Sequence, residues 1–98
     1  MRADIRRISP VDGPVLKAVR LAALADTPSA FGSTYAEEVK RSDADWSDRA
    51  RWASAGAERI TLLARQGERV VGIAGGYRDE IEPDQVHLVS MWTAPEVR

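Results

Sequence analysis

The chain has 98 residues, 44% hydrophobic and 30% charged, which makes it one soluble globular domain or part of one. Its net charge of −1 leaves no basic surplus, so neither nucleic acid nor a membrane is expected as a partner. It contains no cysteine and a single histidine, His87. That excludes disulfide scaffolds, thiolate zinc sites, cysteine nucleophiles and three-histidine metal centres, and no metal cofactor is expected. The lack of disulfides and of a membrane-length apolar run fits a cytoplasmic protein.

In chain order, residues 3–8 read as a short strand with Ile5 and Ile8 among charges. Ser9-Pro10-Val11-Asp12 has the form of a helix start, but Pro14 cannot donate a backbone hydrogen bond, so the helix is expected to begin in earnest there. Val15, Leu16, Val19, Ala22 and Ala23 then form an apolar stripe to about Ala25. A loop follows through Pro28 and Gly32. Thr34 and Glu37 have capping-box spacing and open a short helix from Tyr35 to about Arg41. Ser42 and Asp45 repeat that spacing before a helix to about Ala55, with Trp46, Ala50 and Ala53 on one face. Trp46 is expected in the core and Trp52 partly exposed. Glu37 and Glu38 are adjacent on a helix and diverge, so they read as a solvated face rather than a carboxylate dyad.

The periodicity then changes. Arg59–Arg65 and Arg69–Arg78 flank Gln66-Gly67, the pattern of an antiparallel hairpin. Gly72, Gly75 and Gly76 lie inside a strand pattern with no helix after it, so they mark a bulge or close strand contact rather than a phosphate loop. A polar loop around Pro83 leads to Gln85–Thr93, a strand apolar on both faces, which belongs in the middle of a sheet. The order β-α-α-β-β-β gives an α+β class, with helices packed on a mostly antiparallel sheet.

This order, together with Met91-Trp92-Thr93-Ala94-Pro95-Glu96-Val97-Arg98, resembles the GNAT superfamily of N-acetyltransferases. Arg20-Leu21-Ala22-Ala23-Leu24 followed by Pro28-Ser29-Ala30-Phe31-Gly32-Ser33 also resembles the first helix and following loop of many bacterial members. The resemblance implies an acetyl-CoA-dependent enzyme acting on a primary amine of a small molecule or a protein. It implies that residues 1–98 form the N-terminal portion of a single, incomplete domain. Arg98 stands where the family's pyrophosphate loop begins, and the helix N-terminus that would bind the diphosphate is not present. The chain is therefore expected to be inactive alone.

By the same resemblance, the backbone of Met91, Trp92 and Thr93 would bind the pantetheine arm like an added strand and aim an amide at the thioester oxygen. The plain alternative is that these are buried strand residues. His87 suits a general base near neutrality, with Glu82 as a second candidate; the alternative for His87 is a histidine satisfied by hydrogen bonds. Phe31, Gly32, Ser33 and Tyr35 fall where the family's acceptor site is lined, or else Phe31 plugs the core. A competing reading is a non-catalytic binding or oligomerisation module. The exposed last strand would template a homodimer.

Overall fold

The computed structural model describes residues 4–28, 33–82 and 84–97. Phe31, Gly32 and Arg98, three of the expected site residues, lie outside this set. The elements run β1 (Asp4–Arg7), α1 (Gly13–Asp26), α2 (Tyr35–Glu38), α3 (Asp43–Ser54), β2 (Arg59–Gln66), β3 (Arg69–Arg78) and β4 (Val86–Thr93), followed by a 3-10 turn, Pro95–Val97. The four strands form one antiparallel sheet in the order β1-β2-β3-β4. This is the expected α+β layout. Among the described residues no helix is long and apolar enough to cross a membrane.

Local chemistry sets the boundaries. The α1 helix begins one residue earlier than expected, at Gly13, with Pro14 in its first turn. The Asp12 carboxylate does not cap it; it accepts from the Ser9 amide at 2.9 Å and fixes the turn before the helix. Thr34 accepts from the Glu37 amide at 3.2 Å and Ser42 from the Asp45 amide at 3.1 Å, so both predicted caps form. The α2 helix stops at Glu38, short of the expected Arg41, because the Lys40 and Arg41 amides bond three residues back and tighten the turn. Gly67 has φ +64 at the first position of the β2–β3 turn, a conformation that suits glycine.

One face of the sheet carries the core. Leu16 and Val19 of α1 and Trp46, Ala50 and Ala53 of α3 pack on Ile8, Leu63 and Ile73. Each fully buried aliphatic side chain here contributes about 1.5–3 kcal/mol. Trp46 is 1% exposed and Trp52 68%, as the helix pattern predicts. Gly13 sits where α1 crosses α3: a Cβ there would lie 2.9 Å from Ser47 Oγ and 3.0 Å from its backbone. The Arg7 guanidinium ties β1 to the end of α3 through the carbonyls of Ala53, Gly56 and Arg59.

Two expectations fail. Glu38 is not solvated; it is fully buried, clamped by Arg20 at 2.6 Å and by Arg41. Arg41 reaches on to Asp45 at 3.0 Å, linking α2 to α3. And β4 does not lie mid-sheet among the described residues. It forms the edge, leaving Val86, Leu88 and Met91 at least 60% exposed. Register places Leu88 in a row with Gly76 and Ile60 on the face away from the core, where Ile5 is also exposed. The two-sided apolar pattern of β4 was real, but the described elements cover only one side of it.

Candidate functional site

The register of β4 shapes the site. Ile73 pairs with Trp92, but Gly75 pairs with Val89, so β4 holds one extra residue between Val89 and Trp92. This bulge resets the alternation. Plain alternation along a regular strand would put His87 beside Val89, Met91 and Thr93. Instead His87, Val89 and Trp92 share the face of Ile73, while Thr93 pairs with Gly72 on the other. Opposite the bulge β3 has little bulk: a Cβ on Gly72 would meet the Trp92 carbonyl at 3.3 Å, and one on Gly75 the Val89 carbonyl at 3.3 Å. The glycines thus serve close strand contact, the reading preferred over a phosphate loop.

His87 is held on two sides. Its Nε2 lies 2.7 Å from Asp79 Oδ2, and its ring stacks on Tyr77 with centroids 5.0 Å apart. Asp79 accepts from the Ile81 and Glu82 amides, both at 2.8 Å. The hydrogen bond from His87, then those two amides, lower the Asp79 carboxyl from 3.8 to about 2. Asp79 was not among the expected site residues. The only sequence signal for it was an aspartate opening the loop that returns the chain to His87.

Glu82 contributes its backbone rather than its carboxylate. Its side chain is exposed and does not line the cleft beside His87. Ser33 is half-buried and Tyr35 46% exposed near the start of α2, and neither lines the cavities described next.

Cavities lie along the sheet. One of about 570 Å³ lies between α1, α3 and the sheet, over Gly75 and Val89 and reaching Arg59 and Tyr77. A cleft of about 390 Å³ adjoins it through the same Arg59 and Tyr77 and contains Asp79 and His87. A third, of about 570 Å³, lies at the far end of β4, lined by Val15, Val70, Trp92 and Pro95. There the Trp92 indole donates to Asp26 Oδ2 at 2.9 Å, joining β4 to the end of α1. Met91 and Thr93 are exposed, and the outer edge of β4 has no strand against it among the described residues. Nor is there among them any cluster of acidic, histidine or cysteine side chains that could hold a metal ion.

No protein-family model matches the sequence, and no curated protein does. Solved structures do match. An acetyltransferase of the GNAT family from Streptococcus pneumoniae superposes with TM-score 0.70 at 16% identity, over 97% of this chain and 56% of that one. An aminoglycoside acetyltransferase from an uncultured soil metagenomic sample gives 0.71 at 17%, over 100% and 62%. A predicted acetyltransferase from Clostridium acetobutylicum, solved with acetyl-CoA, gives 0.65 at 13%, over 99% and 63%. The chain therefore has a GNAT-like acetyltransferase fold, and it spans a little over half the length of these neighbours.

Proposed function

We propose that the chain belongs to the GNAT superfamily and forms the first part of an N-acetyltransferase domain, moving acetyl from acetyl-CoA to a primary amine. The observation that carries this reading is the bulge in β4. It puts His87, backed by Asp79, and Trp92 on one face of a strand whose outer edge has no strand against it among the described residues. The fold likeness to acetyltransferases, one of them solved with acetyl-CoA, supports it.

The residues present fit part of acetyl-CoA. A pantetheine arm is extended and amide-bearing, and an open strand edge accepts such a chain as an added strand. Met91, Trp92 and Thr93 would hold it. The bound group supplies an acetyl carbonyl activated as a thioester. The diphosphate would need an anion cradle such as a helix N-terminus, and the described residues supply the pantetheine contact only.

The remaining work falls to side chains on the helix-covered face. With Nε2 donating to Asp79, His87 Nδ1 keeps a lone pair and accepts the proton that the amine loses. The Asp79 carboxylate then balances the imidazolium charge. Tyr77 fixes the ring plane. The acceptor enters over Gly75, Val89 and Tyr77, where the cavity lies.

Acetyl-pantetheine, which lacks the diphosphate, tests this on the chain itself. Its titration should shift the backbone amide resonances of Met91, Trp92 and Thr93 saturably in the millimolar range. If those amides do not move, the reading is wrong.

A second reading rests on its own observation. Val86, Leu88 and Met91 are 60%, 70% and 60% exposed on a strand that pairs on one side only among the described residues. Such an edge is a template for a second copy of this chain, which would make the protein an association module.

A further inference from the structure

On the helix-covered face, β2, β3 and β4 set Arg59, Tyr77 and His87 side by side in one cross-strand row. The ends of that row differ in chemistry. His87 stands at one end, bound to Asp79, with Glu80 also lining the cleft. Arg59 stands at the other. Its guanidinium lies over the Trp52 ring, 5.8 Å from the centroid. Among the described residues no carboxylate pairs with it, and Glu58, its neighbour in the chain, lines the cleft without doing so. The other arginines lining these two spaces are otherwise engaged: Arg20 holds Glu38, Arg49 holds Asp45 at 3.4 Å, and Arg78 donates to the Ala57 carbonyl at 3.3 Å. Asp48, the other acid lining the main cavity, is taken by Arg51.

Arg59 also lines both the larger cavity and the cleft, so it faces whatever enters either. The next row on this face is Thr61, Gly75 and Val89. With no side chain at its centre, that row leaves the floor open beside Tyr77. The two functional ends are two strand spacings apart at the backbone, about 10 Å. A bare amine would use only the His87 end and leave the Arg59 guanidinium with no anionic partner among the described residues.

We propose that the acceptor is a small amino carboxylate, with its amine at His87, its carbon chain over Tyr77, and its carboxylate on Arg59. Planar, bidentate pairing with a carboxylate is what a guanidinium does best, and the Trp52 ring beneath it fixes its plane. The proposal names the acceptor class for the acetyl-transfer reading and rests on it for the role of His87. Its test does not require turnover.

The experiment titrates the whole chain with 4-aminobutanoate and, separately, with butylamine, which has a similar carbon chain and no carboxylate. Backbone amides and the Trp52 indole are followed by NMR. We expect 4-aminobutanoate to shift Arg59, Trp52, Tyr77 and His87 saturably and to bind about tenfold tighter than butylamine. Arg59→Gln should erase that preference and Arg59→Lys should restore part of it. Equal affinity for the two probes, a preference that survives Arg59→Gln, or no saturable shift at Arg59 would each overturn the proposal. If 4-aminobutanoate behaves as expected while acetyl-pantetheine leaves β4 unmoved, the acetyl-transfer reading fails and the carboxylate site stands. The reverse pattern removes only the carboxylate site.

Discussion

Asp79 and His87, eight residues apart, meet at 2.7 Å because the loop after β3 turns back on the start of β4. The Asp79 carboxylate accepts two backbone amides from its own loop and one ring nitrogen from the next strand. One side chain therefore shapes the loop and aims the histidine.

The first prediction follows from that geometry. Asp79 in the folded chain should titrate near 2, against an ordinary 3.8, when its carboxyl carbon is followed by NMR. His87→Ala removes the largest cause and should move the midpoint toward 3.8. Because the folded value is depressed, the stability Asp79 contributes is present above 3.8 and lost as pH falls through about 2. Asp79→Asn should lower stability at neutral pH and flatten the acid limb. A midpoint that ignores His87→Ala would mean the contact does not persist in solution.

Glu38 makes the second. Burial alone would raise its carboxyl, but the hydrogen bonds from Arg41 and Arg20 outweigh this and hold it below its ordinary 4.5. Its stabilisation is therefore full above 4.5 and fades as pH drops through the lowered value. Glu38→Ala leaves two guanidiniums without their shared partner. Urea denaturation should report a loss of about 3 kcal/mol. A loss no larger than that of a surface glutamate would show that the clamp is not formed.

Gly13→Ala should destabilise by about 1–3 kcal/mol through overpacking at the α1–α3 crossing. Adding Ser47→Ala should recover only part, because the Ser47 backbone, at 3.0 Å, is nearly as close as its hydroxyl at 2.9 Å. Thermal melts of the single and double variants decide this, and full recovery would mean the backbones separate easily.

The open edge of β4 gives the last. If a second copy pairs there, light scattering should show concentration-dependent dimers. Leu88→Lys, which puts a charge on the 70%-exposed position, should weaken them by roughly tenfold, ~1.4 kcal/mol. A monomer at all concentrations removes the association reading.

Much of this fold was legible in the sequence because its signals are local. The Thr34 and Ser42 caps, the Gly67 turn and the Trp46-Ala50-Ala53 stripe each sit within a few residues and formed as read. His87 was visible as the one histidine. What was hidden depends on neighbours distant in the chain. Glu38 looks like any helix glutamate until Arg20, 18 residues earlier, is folded against it. The Arg59-Tyr77-His87 row exists only once three strands are in register. The β4 bulge has no marker residue, so simple alternation put Met91 and Thr93 beside His87.

That bulge also constrains length independently of residue identity. His87 and Trp92 are an odd number of positions apart, and a plain strand would turn them to opposite sides. The extra residue corrects the parity. Deleting one of the two residues between Val89 and Trp92 would make that separation even, and a plain strand would then keep both the Trp92–Ile73 and the His87–Tyr77 pairings. The strand therefore tolerates a lost residue within the bulge, while the same loss between His87 and Val89 would turn one of its two ends to the opposite face.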